Sequence, residues 1–282
     1  MIHFMCIEAR TFEIEGRPAR VWVGGQGTPI LLLHGRWGGA FVQWGPVLTA
    51  LSEHALVIAP ELPGIGEGSQ GNPSGFSEYA RWVIGVLDAL HVSAVCVTGN
   101  SFGGALAWEL AVQFPERCQR LVLVDGGPLP INNFTRAILR LPPLKALLRA
   151  RFRRNATLPR TLALAFARPA EVSTELREAI SQSVSQIPSL VDTVLAPVTD
   201  AAVPRCPVLI LWGEADRLNQ GDQIIKWILR RTPARVERIP AAGHVPQIEQ
   251  PREFVLRLLA FAVGATALDP YPRAFSGAAP SA

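Results

Sequence analysis

Five short apolar runs constrain the fold of this 282-residue chain more than any other feature. They are rich in Val, Ile and Leu and lack polar alternation, and they lie at residues 28–33, 55–59, 94–98, 121–124 and 208–212. Strands buried on both faces have this composition, which is typical of a parallel sheet covered by helices. Helix-like periodicity occupies residues 76–90, 102–114, 220–231 and 251–263. We therefore expect an α/β fold with a mostly parallel central sheet flanked by helices, preceded by an antiparallel hairpin within residues 2–23.

Residues 128–204 interrupt this alternation, because they contain no convincing strand and prolines punctuate their short helical patterns. We expect this segment to form a helical cap, or lid, inserted between two parts of an α/β core at residues 1–127 and 205–263. Residues 264–282 are rich in Gly, Ala and Pro and are predicted to form a peripheral tail.

The overall charge is too small to indicate a nucleic-acid partner: 27 basic and 23 acidic residues give +4. The surplus is concentrated in residues 128–204, which carry ten positive and five negative residues, while the rest of the chain is near neutral. A solvated cap surface is the simplest interpretation, because long arginine stems cover apolar area while their heads stay in water. The alternatives are a field that attracts an anionic substrate, a docking patch for an acidic partner, and contact with anionic lipid.

Cysteine spacing and the N-terminal sequence narrow the class of protein further. Cys6, Cys96, Cys118 and Cys206 form no CxxC pair, so neither a zinc site nor a disulfide framework is indicated. Charged residues interrupt the first 30 positions, and no apolar run approaches the roughly 18 residues of a membrane span. We expect a cytoplasmic protein without a transmembrane segment.

The hexapeptide from Gly99 to Gly104, GNSFGG, is the strongest local signal for chemistry. It follows a buried strand directly and opens a helix, which is the context that a G-x-S-x-G nucleophile turn requires. A serine on such a tight turn has strained backbone angles, so the positions two residues away must lack side chains. Gly99 and Gly103 satisfy this demand, and Ser101 is the candidate nucleophile.

A serine nucleophile needs a base, and the base needs an acidic partner that orients it. His244 follows the last strand in AGHVP and is the best candidate among five histidines. Asp216 in WGEAD is the favoured acid, and Asp125 after LVLV is its rival at the end of the preceding core strand. The chain order of serine, aspartate and histidine is the same with either acid.

Five motifs together resemble those of one known family: the nucleophile turn, or elbow, at Ser101, the His34-Gly35 turn, the run APELPGIG, WGEAD and AGHVPQIEQP. On these motifs the chain resembles the α/β-hydrolase fold superfamily over residues 1–263. The elbow also resembles that of meta-cleavage-product C–C hydrolases. The resemblance implies an oxyanion hole made by the backbone amides of Phe102 and Arg36. Because HGRWGG departs from the Gly/Ser-rich sequence usual in those enzymes, Trp37 is the alternative donor to Arg36. Other residues that these motifs place near the site are His34, Gly35, Trp37, Asn100 and Asp125.

These residues predict a serine hydrolase that cleaves an acyl-type bond, namely an ester, thioester, lactone or C–C bond, of a small organic substrate that is anionic or apolar. No metal or organic cofactor is implied. A non-hydrolytic cyclase or lyase on the same fold is the first alternative, and a ligand-binding receptor is the second. The sequence does not predict an oligomeric state.

Overall fold

The computed structural model describes residues 7–68, 71, 73–128, 131, 133–155, 159–183, 191, 193–195, 202–219 and 221–264. Within these residues, eight strands form one sheet in the order β1-β2-β4-β3-β5-β6-β7-β8. The strands are β1 (Glu8–Ile14), β2 (Arg17–Gly24), β3 (Pro29–Leu33), β4 (Leu56–Pro60), β5 (Val95–Asn100), β6 (Cys118–Val124), β7 (Val208–Gly213) and β8 (Arg235–Ile239). The pairs β1–β2 and β2–β4 are antiparallel, and all other neighbours are parallel.

Helices connect the strands and cover both faces of the sheet. Numbered in chain order, they are α1 (Ala40–Ser52), α2 (Phe76–Ala89), α3 (Phe102–Gln113), α4 (Asn133–Leu139), α5 (Pro142–Asn155), α6 (Pro159–Ala165), α7 (Thr174–Ser183), α8 (Gly221–Leu229), α9 (Pro246–Glu249) and α10 (Pro251–Ala262). Short 3-10 turns occupy Pro115–Arg117 and Pro169–Glu171. The resulting architecture is the mostly parallel α/β fold that the sequence predicts.

The central strands are buried on both faces, which explains their uninterrupted apolar sequence. Along β6, Leu121 and Leu123 pack into the apolar layer beneath α2, α3 and α8, while Val122 and Val124 pack into the opposite layer beneath α1 and α10. All four side chains have no exposed surface. Burial of apolar area on both faces contributes most of the favourable free energy of folding and leaves no polar side to the sheet.

The strands predicted at the five apolar runs and the N-terminal hairpin are confirmed, whereas α1 and β8 are two core elements whose bounds the sequence pattern does not give. β8 is an edge strand in which Arg235, Val236 and Arg238 are exposed, so it lacks an apolar run. α1 contains Pro46 and starts after two glycines, features that argue against a helix in sequence-based reasoning. The formation of both elements therefore depends on packing against the rest of the fold rather than on a local sequence pattern.

In the described part of residues 128–204 the regular structure is helical. Three residues of this segment, Leu162, Phe166 and Ile180, pack into a small apolar cluster with Val245, which lies in the loop before α9. The predicted role of the segment as a lid is taken up below. The predicted tail beyond residue 264 lies outside the described residues, and no described helix has the length and apolar character that crossing a bilayer demands.

The N-terminus of α3 packs unusually close to the end of β3. A Cβ atom added to Gly103 would lie 2.1 Å from the carbonyl oxygen of Leu33, well inside van der Waals contact. Gly45 in α1 is different, because a Cβ atom there would meet only Phe41, at 4.0 Å. The helix that carries the candidate nucleophile therefore depends on a missing side chain.

We expect Gly103→Ala to lower the free energy of unfolding by about 2–3 kcal/mol or more, because the new methyl group displaces backbone that cannot move freely. Gly45→Ala is the matched control and is expected to change stability by less than about 1 kcal/mol, because the gain in helix propensity is offset by the restriction that Pro46 places on the residue before it. Urea unfolding of both variants measures the difference. Equal effects of the two substitutions would contradict the close packing of α3 on β3.

Candidate active site

Five candidate residues lie in loops at one edge of the sheet. Arg36 follows β3, Ser101 follows β5, Asp125 follows β6, Asp216 follows β7 and His244 follows β8. Because these strands are parallel, their carboxyl ends meet at the same edge, which is where open α/β sheets bind ligands. The structure thus gathers residues that are far apart in sequence.

Ser101 occupies the turn between β5 and α3 with strained backbone angles, φ 53° and ψ −112°. A non-glycine residue seldom has a positive φ, and such strain persists only where the surroundings impose it. Here the Ser101 amide donates to the carbonyl of Val124 at 2.9 Å, and the Ser101 carbonyl accepts from the amide of Gly104 at 3.0 Å. A Cβ atom on Gly99 would lie 2.1 Å from the Gly103 carbonyl oxygen, so the turn closes only around glycine, as the motif predicts.

His244 and Asp216 form a buried pair. The Nδ1 atom of His244 lies 3.1 Å from Oδ2 of Asp216, and the two side chains are 4% and 0% exposed. A carboxylate can only accept, so Nδ1 carries the proton and Nε2 is left as the basic nitrogen. The other carboxylate oxygen accepts from the amides of Leu218, at 2.9 Å, and Asn219, at 3.4 Å, which fixes the orientation of Asp216.

Asp125 lies beside this pair rather than far from it. One oxygen from each carboxyl group and a ring nitrogen of His244 are all within 4.8 Å of one another. Asp125 is fully buried, and its Oδ1 accepts from the amide of Gly213 at 2.9 Å. Burial and the neighbouring Asp216 carboxylate raise the pKa of Asp125 well above its usual range. Both acids that the sequence offered therefore share one site, and a protonated Asp125 can donate to Asp216.

The same three side chains are the described group whose spacing could suit a metal ion. Their hydrogen bonds favour another use, because Nδ1 of His244 would have to give up Asp216 in order to bind a cation. The Asp125 carboxyl, with its raised pKa, is also a poor ligand while it holds its proton. The geometry suits a hydrogen-bonded acid–base pair better than a metal centre.

His34 is buried, and each nitrogen of its ring forms a hydrogen bond with a backbone group. The amide of Leu62 donates to Nε2 at 2.9 Å, so Nε2 bears no proton, and Nδ1–H donates to the carbonyl of Gly35 at 2.7 Å. Burial lowers the pKa of His34, although the charge of Glu61 partly opposes this. The residue that the motif placed near the site is thus a neutral histidine that holds the turn after β3.

Gln43, which the sequence analysis did not single out, fixes the loop that carries Arg36 and Trp37. Its side chain accepts from the Gly35 amide at 2.8 Å and donates to the Trp37 carbonyl at 2.6 Å. The Trp37 ring lies edge-on to His244, with centroids 5.8 Å apart, and stacks on Phe166 at 6.2 Å. The loop that was expected to supply an oxyanion amide therefore contacts both the histidine and the inserted segment.

Two cavities meet at Ser101. The larger has a volume of about 550 Å³, and its lining includes Trp37, Asn100 and His244 together with Leu139, Leu148 and Arg151 from the inserted segment. The smaller has a volume of about 90 Å³ and is lined in part by Phe102, Glu109 and Arg136. Arg36 borders both cavities, and burial lowers the pKa of its guanidinium to about 10, so it remains charged at neutral pH. The space beside Ser101 is mainly apolar with positive groups at its walls.

Hydrogen bonds join the inserted segment to the loops that carry His244 and Asp216. The His244 amide donates to the carbonyl of Ala165 at 2.6 Å, and the Arg217 amide donates to that of Leu164 at 2.9 Å. Glu249 accepts from the amides of Gly243, at 2.8 Å, and Ala167, at 2.7 Å. The position of the inserted segment is therefore coupled to that of the histidine loop.

Glu249 is a further residue that the sequence analysis missed, although it lies within the quoted motif AGHVPQIEQP. Its position five residues after His244, at the end of the short helix α9, was the available signal. Asn100 also supports the histidine loop, because its Nδ2 donates to the carbonyls of His244, at 2.9 Å, and Val124, at 3.1 Å. The side chains of Glu249 and Asn100 therefore fix the position of the histidine loop through hydrogen bonds to its backbone.

The structure combines a parallel sheet, a strained serine turn, a buried histidine–aspartate pair and a cavity beside them. Together these features are typical of an α/β hydrolase. Comparison with known proteins agrees. The sequence model of the alpha/beta hydrolase family matches residues 30–258. The chain belongs to this family and is a hydrolase.

Two relatives from Pseudomonas putida are similar over most of their length. The 2-hydroxy-6-oxo-2,4-heptadienoate hydrolase of strain F1 is 30% identical over 244 residues, which covers 82% of this chain and 87% of that protein. A 2-hydroxymuconate semialdehyde hydrolase is 31% identical over 260 residues, with 86% and 90% covered. The solved meta-cleavage product hydrolase of Pseudomonas fluorescens IP01 has the same fold, with a TM-score of 0.70, 23% identity, and 92% of this chain and 99% of that chain covered.

The raised pKa of Asp125 predicts how stability depends on pH. Above about pH 4 the unfolded chain releases this proton while the folded protein keeps it, so the Asp125 site destabilises the fold increasingly until its folded carboxyl also ionises. Asp125→Asn removes the titration and preserves the shape of the side chain. We expect the variant to gain stability relative to the wild type as pH rises, with a slope of up to about 1.4 kcal/mol per pH unit.

Urea unfolding of both proteins at a series of pH values measures this gap. Glu53→Gln, at an exposed position, is the control for a change from carboxyl to amide. A gap between Asp125→Asn and the wild type that is constant, or that narrows with pH, would show that Asp125 is ionised in the folded protein.

Proposed function

We propose that this hydrolase uses Ser101 as nucleophile, His244 as general base and Asp216 as the group that orients His244. The observation that carries the proposal is the His244–Asp216 pair at 3.1 Å, with Ser101 on its strained turn and His244 lining the same cavity. Nucleophile, base and orienting acid in this relation form the arrangement that activates a serine hydroxyl.

The reaction proceeds in two acyl-transfer steps. Nε2 of His244 takes the hydroxyl proton as Oγ of Ser101 attacks the substrate carbonyl, and the resulting imidazolium is stabilised by Asp216. The same proton then passes to the leaving group as the bond to the acyl carbon breaks, which leaves an acyl-enzyme. Water, activated by His244, attacks the acyl-enzyme and releases the acid and free Ser101.

The developing negative charge on the carbonyl oxygen is expected to face backbone amides. Phe102 is the first residue of α3, so its amide is among those that have no partner within the helix, and the helix N-terminus is positive. Arg36 supplies the second amide in this proposal, with Trp37 as the alternative on the same loop. Each such donor is typically worth about 3–4 kcal/mol of transition-state stabilisation.

We further propose that residues 128–204 form the lid of this site. Support comes from Leu139, Leu148 and Arg151, which line the larger cavity, and from the backbone bonds of Leu164 and Ala165 to the loops of Asp216 and His244. A lid tied in this way excludes water from the acyl group and couples its own position to that of the base.

The substrate class we propose is a small acyl compound with an apolar body and an anionic group. The apolar walls of the cavity suit the body, and the charged Arg36 at the border of both cavities suits a carboxylate. The two relatives named as hydrolases of an unsaturated oxo acid and of a semialdehyde favour C–C bond cleavage within this class. Ester, thioester and lactone bonds require the same attack on a carbonyl and are the other members.

A fluorophosphonate probe is expected to label one serine, Ser101, and Ser101→Ala is expected to abolish labelling. The same variant should lose about 10⁴–10⁶-fold in kcat, because the nucleophile acts as a unit with His244. Ser93→Ala, at an exposed serine, is the matched control and should leave both measurements unchanged. Full activity of Ser101→Ala on the best substrate would refute the acyl-enzyme route.

Product analysis on a panel of esters, thioesters, lactones and dienoic oxo acids in ¹⁸O-labelled water identifies the bond and the reaction type. Hydrolysis places one solvent oxygen in the acid product, whereas a cyclase or lyase does not. We expect solvent oxygen in the product, and its absence from a product formed by the wild type would favour the non-hydrolytic alternative. Persistent binding without any product would favour the receptor alternative.

A further inference from the structure

Exposed apolar side chains are concentrated on two helices of the inserted segment and in the turn between them. Among the described residues, nine large hydrophobic side chains are exposed, and four of them lie between positions 134 and 147. Phe134 is 77% exposed, Leu147 is 64% exposed and Leu141 is 51% exposed, and Ile138 lies one helical turn after Phe134. We call these four residues, together with the exposed Arg140 and Arg154, the α4–α5 surface. Apolar exposure of this density marks an interaction site more often than a plain solvated face.

The same surface is positively charged. Residues 134–169 contain nine basic residues and no acidic residue. Arg140, Arg151 and Arg154 are exposed, whereas Arg136 is turned inward, where it is 3% exposed and donates to the carbonyl of Val194 at 2.9 Å. Exposed cations and exposed apolar side chains are therefore interspersed between positions 134 and 154.

The exposed apolar side chains and the positive charge of this surface together indicate which kind of partner fits it. A second copy of this chain placed symmetrically on the surface would bring two sets of like-charged residues together, which costs free energy. An acidic protein or a nucleic acid would match the charge but would leave Phe134 and Leu147 in water or against polar groups. An anionic bilayer matches both features, because apolar side chains enter the acyl boundary while Lys and Arg meet the headgroups.

We propose that the α4–α5 surface docks on an anionic lipid bilayer, with Phe134, Leu141 and Leu147 inserted at the interface. This goes beyond the proposed hydrolysis and does not depend on it, since docking uses no residue of the Ser101 site. It has a consequence for access to that site. Leu139 and Leu148, on the same two helices, line the cavity of about 550 Å³ beside Ser101, so docking brings this wall of the cavity to the membrane.

Co-sedimentation of the full chain with vesicles tests the proposal. Vesicles of phosphatidylcholine mixed with phosphatidylglycerol should carry the protein down at low salt, whereas phosphatidylcholine alone should bind it weakly. Added salt should weaken the binding, because the headgroup attraction is screened. Ser101→Ala should bind as the wild type does, which separates this result from any failure of the proposed hydrolysis.

A first pair of variants isolates the apolar contribution. Phe134→Ser/Leu147→Ser should lower the partition coefficient on anionic vesicles about tenfold or more, because each insertion buries several methylene equivalents. The matched control Leu229→Ser/Val263→Ser changes two exposed apolar residues outside the inserted segment and should bind as the wild type does. Circular dichroism of both variants checks that they remain folded.

A second pair isolates the charge. Arg140→Glu/Arg154→Glu should also weaken binding about tenfold or more, since each basic residue near an anionic surface adds to the attraction and each introduced glutamate opposes it. Arg81→Glu/Arg230→Glu reverses two exposed charges elsewhere and is the control. The proposal is overturned by absence of binding to anionic vesicles, by binding that either surface variant leaves unchanged, or by a dimer in solution that Phe134→Ser/Leu147→Ser dissociates. Binding of polyglutamate or duplex DNA in preference to vesicles would likewise overturn it, in favour of an acidic macromolecule.

Discussion

The strained turn at Ser101 is the constraint on which the rest of the site depends. A φ of 53° at a residue with a side chain is held only because β5, β6 and α3 approach closely around it, and glycines at positions 99 and 103 allow that approach. The strain is stored by the packing of a sheet buried on both faces. In return, the serine side chain stands at the carboxyl edge of the sheet, at the N-terminus of a helix, where a negative charge is favoured. The packing of the fold therefore determines the position of the proposed nucleophile, Ser101.

The other groups reach this turn through backbone contacts made by polar side chains. Gln43 fixes the loop after β3, Asn100 holds the His244 carbonyl, and Glu249 bridges the histidine loop to the inserted segment. The histidine loop, the loop expected to supply an oxyanion amide and the inserted segment are thus each held by hydrogen bonds from a polar side chain to backbone. Asp125 adds a buried carboxyl beside Asp216, and the two groups together hold fewer negative charges than two separate carboxylates would. The positions of the loops around the site therefore depend on several surrounding hydrogen bonds rather than on any single contact.

The sequence predicts the parallel sheet and the placement of Ser101, Asp216 and His244 at its edge, because apolar runs, glycine spacing and strand ends are local signals. It does not reveal Gln43 or Glu249 as supports, since each acts on backbone that becomes adjacent only in the fold. It could not rank Asp125 against Asp216 on position alone. The structure distinguishes them by contact: Asp216 reaches Nδ1 of His244, whereas Asp125 reaches the Gly213 amide. It also could not divide the basic residues of the insertion into the inward-facing Arg136 and the outward-facing Arg140 and Arg154.

We propose that Ser101 and His244 act as one catalytic unit, and a double-mutant comparison of kcat tests this coupling. If they act together, Ser101→Ala/His244→Ala should be no slower than either single variant by more than about tenfold, because the first substitution already removes what the second supports. Losses that multiply, so that the double variant is slower by the product of the two single effects, would show that the residues act independently and would contradict the account.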